Sequence, residues 1–379
     1  MGKVLTPSQL FGLMLRTRTV RSATWEGLAD EVGFVRSELI ELLAELAKGS
    51  VGLVIPGYFY VRPDGRGLPW QTGVWDDAHV DGLKRMVSAV HHEGAVIAAQ
   101  IAHAGGRTRA DLIGGERPIA PSAVKGFSFG DTPREMTLTE IKGLIRAFVK
   151  AARRVKEAGF DAVQLHAAHG YLLSQFLSPL LNRRYDAYGG TPEKRCRFVI
   201  EVYEAVREAV GDAFPVLIKL NTMDGPQGGI TINESIEVAR ELAFRGLDAV
   251  EVSGGMAGSA RYRPSRKGIS RPSNEAYFRP AAMRFKEHLD IPVILVGGIK
   301  SYEVAEDVLA SNHADFVSFS RALICEPHLI MRWQGGDTGS SKCVSCNLCL
   351  KQGVTGSGIA CVAQKKVRDG DARPKEAAL

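Results

Sequence analysis

Nowhere do the 379 residues run to the roughly 18 uninterrupted apolar positions that a membrane-spanning helix needs. The opening MGKVLTPSQL also lacks the charged start, apolar stretch and small-residue cleavage site of a secretory leader. Both absences predict a cytoplasmic protein with no membrane partner. Cysteine is scarce at six residues, which excludes a disulfide-stapled secreted scaffold. Neither sign of charge dominates, since 48 Lys and Arg against 42 Asp and Glu leave a formal charge of +6. Such a balance tolerates anionic partners without implying nucleic acid. The one basic concentration is RYRPSRKGISR, with Arg261, Arg263, Arg266, Lys267 and Arg271.

What is present is a rhythm. Short β-branched apolar runs alternate with helical patterns, as βα units of a parallel sheet do. The runs lie near 18–24, 51–57, 95–102, 161–168, 215–221, 248–255, 292–298 and 315–321. Helix starts are marked by Thr137 with Glu140, Thr231 with Glu234, and Thr191 before Pro192. Gly159 and Gly246, each between a helical pattern and an apolar run, read as left-handed C-caps. Eight strands with crossovers predict an α/β fold, a single-domain (β/α)8 TIM barrel over residues 1–335. Residues 336–379 form a short cysteine-containing C-terminal extension. An open doubly wound sheet is the competing architecture, but RTVRSATWEG carries no G-x-G-x-x-G after the first strand.

In a barrel enzyme the reacting groups sit where strands end. Here Ser22 and Thr24, Gln100 and His103, His166 and His169, Lys219 and Asn221, Ser253, and Arg321 interrupt the apolar runs at that point. HAAHGY is richest, setting His166, His169 and Tyr171 within six residues. Lys219 inside VLIKLN requires an electron-rich partner, because an unpaired buried ammonium costs several kcal/mol. VGGIK and SFSRAL each open a helix at strands seven and eight, the usual phosphate position of this architecture. Gly297 and Gly298 let a phosphate approach the backbone and Arg321 supplies a clamp. A phosphate site, a buried cation and Gln100 near the centre suit flavin mononucleotide (FMN).

AQIAHAGGRT (99–108), APSAV (120–124), HAAHGYLLSQFLSPLLNRRYDAYGG (166–190) and VGGI (296–299) closely resemble the Old Yellow Enzyme family of NADH:flavin oxidoreductases. The similarity covers roughly residues 5–335. It implies a TIM barrel holding FMN, reduced by NADH or NADPH, that passes hydride to a small-molecule enone or enoyl ester. By the same resemblance Gln100 and Lys219 contact the flavin ring, and Ser22, Ala23 and Gly57 line it. Gly297, Gly298 and Arg321 hold the phosphate, His166 and His169 bind the substrate carbonyl, and Tyr171 delivers a proton. A phenol is protonated at neutral pH, which suits that role. Trp25 stands where the family commonly has cysteine or threonine, and Tyr58 where smaller residues are usual, so both narrow the site.

Cys343, Cys346, Cys349 and Cys361 fall within nineteen residues. They resemble the iron–sulfur segment of the 2,4-dienoyl-CoA reductase branch, with two residues rather than three between Cys346 and Cys349. Four thiolates suit a 4Fe–4S cluster or zinc, and unmetallated thiols are the third possibility. No second flavin domain is seen after the cysteines, so a cluster is expected to use an external donor. The basic loop, which follows strand six, is placed at the active-site mouth and suits the phosphates of coenzyme A or NADPH.

The sequence therefore predicts an NAD(P)H-dependent ene-reductase, expected as a homo-oligomer. An amine dehydrogenase or demethylase of the same superfamily, and a non-catalytic flavin or metal redox sensor, are the alternatives. The set of His166, His169 and Tyr171 favours the reductase.

Overall fold

The computed structural model describes residues 2–125, 131–256 and 262–364. Eight parallel strands close on themselves: β1 Thr19–Arg21, β2 Leu53–Val54, β3 Val96–Ala102, β4 Ala162–Ala167, β5 Val216–Asn221, β6 Ala249–Ser253, β7 Val293–Val296 and β8 Phe316–Phe319. Closure runs through Val317 against Thr19 and through Leu53 against Val96. The predicted TIM barrel is the observed fold, each strand lying inside its apolar run but shorter by one to several residues.

Between the strands run α1 Ser37–Lys48, α2 Val80–His92, α3 Leu138–Glu157, α4 Leu172–Leu177, α5 Pro192–Val210, α6 Ile232–Phe244, α7 Arg279–His288 and α8 Tyr302–Ala310. The last strand leads into α9 Arg321–Cys325, α10 Leu329–Gln334 and α11 Leu348–Gln352. The helix starts are where the sequence puts them. Thr137 with Glu140, and Thr231 with Glu234, form complete capping boxes, and the Thr191 hydroxyl accepts from the backbone of Lys194. Gly159 and Gly246 hold φ of 87° and 88°, as C-cap glycines do. On α3 the residues Ile141, Leu144, Phe148, Ala151 and Val155 recur every three or four positions and face the barrel.

Side chains alternate across each strand, so one parity fills the barrel. Val20, Leu53, Ala98, Ala162, Leu217, Ala249, Ile294 and Phe316 form the lower layer, sealed by Leu10 and Leu15 of an antiparallel hairpin, Ser8–Leu10 with Leu13–Leu15. Burying each of the larger side chains contributes about 1.5–3 kcal/mol. Two residues further along, the same parity turns polar: Ser22, Gln100, Gln164, Lys219, Glu251 and Ser318 are all buried. Among the described residues no helix is long and apolar enough to cross a membrane.

Candidate active site

The polar layer is one hydrogen-bonded network centred on Glu251, which is fully buried. Lys219 pairs with it at 3.2 Å, as adjacent register in β5 and β6 allows. Ser22 and Ser318 donate to Glu251 Oε1 at 2.7 and 3.1 Å, and Gln164 donates to Oε2 at 3.0 Å. Gln100 donates to Gln164 at 2.6 Å, and Lys219 to Ser22 Oγ at 2.9 Å. Glu251 is therefore the partner that Lys219 requires. Burial lowers the Lys219 pKa while the carboxylate opposes that shift. Gln164, Glu251 and Ser318 escape a search confined to strand ends, although the period of two through Ala162 and Ala249 points to them.

Above this layer the fourth strand delivers the histidines. His166 lies edge-on to His169, ring centroids 5.3 Å apart, and 4.6 Å from the Tyr171 ring. His169 takes φ of 62°, receives its place from Asn221 Oδ1 on its backbone N–H at 3.3 Å, and its Nε2 bonds Ser253 Oγ at 2.7 Å. Burial is the first cause that holds both imidazoles well below their ordinary pKa, and the charges of Lys219 and Arg107 add to it. Both rings are thus neutral. Arg107 places its guanidinium 4.3 Å from the Tyr171 ring centroid and donates to the His169 carbonyl at 2.9 Å.

The two bulky side chains singled out in the sequence pack together beside Tyr171. Trp25, Tyr58 and Tyr171 pack as one cluster with Ala102, Ala104 and Leu68, and the Tyr171 hydroxyl donates to that of Tyr58 at 2.6 Å. Ala23 packs onto the lower barrel layer, and Gly57 N–H donates to the Glu26 carboxylate at 2.9 Å. Glu26 is paired in turn with buried Arg21 at 3.0 Å. His103 stands apart, bonded to Asp64 at 3.3 Å.

Among the described residues, two buried polar atoms here have no hydrogen-bond partner: His166 Nδ1 and Thr222 Oγ1. Leaving such a group unsatisfied costs about 1–3 kcal/mol, so an orphan ringed by other polar groups marks a place for a ligand. On the far side of the barrel mouth Gly297 and Gly298 adopt φ of 146° and 75°. A Cβ on Gly298 would come within 2.7 Å of the Tyr277 ring. Both positions favour glycine, which leaves bare backbone at the turn after β7. Arg321 is not at the end of β8 but opens α9, and its Nη1 donates to the carbonyl of Arg266 at 2.7 Å and to Asn347 Oδ1 at 2.8 Å.

Residues 3–338 match the sequence model of the NADH:flavin oxidoreductase / NADH oxidase family. The chain belongs to that family. It is 37% identical over 349 residues to an NADH oxidase of Thermoanaerobacter brockii, covering 91% of this chain and 53% of that protein. A 4,4'-dithiodibutanoate disulfide reductase of Rhodococcus erythropolis is 34% identical, covering 93% of this chain and 94% of that one. Among solved structures, a 2-naphthoyl-CoA reductase complex superposes with a TM-score of 0.84 at 29% identity, over 89% of this chain and 53% of that chain. Morphinone reductase in complex with tetrahydroNAD gives 0.75 at 30%, over 91% and 94%. An old yellow enzyme homologue from Zymomonas mobilis, 26% identical, gives 0.77 over 90% and 95%. The chain spans about half the length of the Thermoanaerobacter protein and of the naphthoyl-CoA reductase chain. The fold and family place it among FMN-type oxidoreductases of the Old Yellow Enzyme group.

The family match stops before the cysteines. Cys343, Cys346, Cys349 and Cys361 nonetheless line one pocket together with Arg321. Cys325 of α9 accepts from the Gln364 amide at 3.4 Å, and Cys361 beside it is the main cause that raises its thiol pKa. Among the described residues no three His, Cys, Asp or Glu side chains stand at metal-ligating distance, so binding would require the thiols to draw together. Of the basic loop, Arg261 lies outside the described residues, and Arg266 stacks 4.4 Å from the Tyr277 ring centroid.

Proposed function

We propose that the protein is an NAD(P)H-dependent ene-reductase acting on enones or enoyl esters, and the orphaned Nδ1 of His166 carries the reading. Gln100 and Lys219 would hold the ring of FMN, with Ser22, Ala23 and Gly57 beside it. Gly297, Gly298 and Arg321 would hold the phosphate. FMN reduced by NADH or NADPH supplies the hydride when bound. His166 and His169, both neutral, donate hydrogen bonds to the substrate carbonyl oxygen and draw electron density from the β-carbon. Tyr171 gives its phenolic proton to the α-carbon and completes the addition of hydride and proton across the double bond.

A second reading is favoured by the Rhodococcus relative, named as a disulfide reductase and matched along nearly its whole length. The same pocket would then deliver hydride to one sulfur of an organic disulfide and a proton to the other. The four-cysteine pocket is read as a 4Fe–4S site, zinc being the other occupant that four thiolates satisfy.

Anaerobically purified protein should show an oxidised flavin spectrum that NADH or NADPH bleaches. Its return on adding an enone supports the first reading, and return only with an organic disulfide the second. An absence of bound flavin would sink both. Iron, sulfide and zinc assays on the same sample decide the cysteine pocket, with about four irons per chain expected for the cluster.

A further inference from the structure

The cysteine-bearing segment does not hang from the barrel. Ser341 N–H donates to the Lys300 carbonyl at 2.8 Å, and Lys300 Nζ donates to the Cys343 carbonyl at 3.2 Å. Those contacts fasten it to the turn that follows Gly297 and Gly298. Gly268 N–H donates to the Ser345 carbonyl at 3.3 Å, tying it to the loop after β6. Its third anchor is Asn347. That side chain accepts from Arg321 Nη1 at 2.8 Å and from Ser265 Oγ at 3.0 Å through Oδ1, and its Nδ2 donates to the Ser265 carbonyl at 3.0 Å. Asn347 sits at φ of 63°, a left-handed conformation that asparagine tolerates better than most residues.

Among the described residues, the acceptors on Arg321 Nη1 are the carbonyls of Arg266 and Ser345 and the amide oxygen of Asn347. None is a carboxylate. The guanidinium is therefore ordered without having its charge cancelled, the state in which an arginine binds an anion with least loss of side-chain freedom. We propose that Asn347 is a positioning residue that orders Arg321 for the flavin phosphate, so that the cysteine-bearing segment completes the cofactor site. This rests on the reading of Gly297, Gly298 and Arg321 as the phosphate cradle. Asn347 itself touches only the phosphate end, since the polar network under the ring is built from Gln100, Gln164, Lys219 and Glu251 of the barrel strands.

The test uses the full chain depleted of flavin, titrated separately with FMN and with riboflavin, which lacks the phosphate, and followed by quenching of flavin fluorescence. Much tighter wild-type binding of FMN than of riboflavin supports the phosphate cradle, and equal affinities overturn it. Asn347→Gly keeps the left-handed backbone and deletes the side chain. It should weaken FMN by about tenfold, the scale of one charge-assisted hydrogen bond, and leave riboflavin within about twofold of wild type. Ser265→Ala should shift FMN the same way by less. Unchanged FMN affinity in Asn347→Gly, or an equal loss for both flavins, overturns the proposal, and retained riboflavin binding reports that the barrel is intact.

Discussion

The hydroxyls of Tyr171 and Tyr58 are joined by a 2.6 Å hydrogen bond inside a buried aromatic cluster. Burial, with Tyr171 beside it, pushes the Tyr58 phenol well above its ordinary pKa, so Tyr58 remains a protonated partner. If Tyr171 is the general acid, Tyr171→Phe should slow substrate reduction by about a hundredfold and leave flavin reduction by NAD(P)H nearly intact. Tyr58→Phe keeps the ring and removes only the hydroxyl, so a loss of about fivefold confined to the same half-reaction is expected. Anaerobic stopped-flow separates the two half-reactions. Were both to fall together in Tyr171→Phe, the tyrosine would be structural.

The Lys219 and Glu251 pair predicts a strong coupling. Lys219→Met strands a carboxylate that is fully buried, at a cost of about 3–5 kcal/mol. Replacing Glu251 with glutamine in the same chain keeps acceptor and size while removing the charge, and should recover most of that loss. Urea midpoints of the single and double variants make the comparison. Equal midpoints would mean that the carboxylate is not what Lys219 neutralises.

Much of this was legible in the residues, and the reasons differ by element. The barrel follows from local periodicity, and the caps at Thr137, Thr191 and Thr231 are set by neighbours within a turn. Lys219 announces a need for a partner, but choosing Glu251 depends on the register of β5 against β6, a tertiary fact. Tyr58 reads only as an oversized residue until packing brings its hydroxyl to Tyr171. Asn347 carries no signal at all, because its bonds to Ser265 and Arg321 cross 82 and 26 residues of chain.

His166 and His169 predict a pH dependence of stability. Their folded pKa values are lowered, so as pH falls through about 6.5 the unfolded chain takes up protons that the folded chain refuses. Their contribution is fully present above that pH and is lost as pH falls, by up to about 1.4 kcal/mol per pH unit for each ring. The double variant His166→Asn with His169→Asn should lose urea stability less steeply than wild type between about pH 6.5 and 5. Parallel profiles would show that the imidazoles are protonated in the folded state.

Gly353 lies against Trp25, and its backbone is ordinary helix, φ −58° and ψ −38°, so conformation alone does not require glycine. Propensity would favour alanine there by about 1 kcal/mol. A Cβ, however, would stand 2.7 Å from a Trp25 ring carbon, and that indole is buried with its N–H held by the Pro69 carbonyl at 3.0 Å. Overpacking of this kind costs about 1–3 kcal/mol and should win. Gly353→Ala is thus expected to loosen the segment that Ile359 N–H also ties to the Glu26 carbonyl at 2.7 Å, seen as faster proteolytic cleavage after residue 345. Adding Trp25→Phe removes the clashing ring and should restore resistance. A stabilising Gly353→Ala would instead show that helix propensity governs the position and that the extension rests only lightly on Trp25.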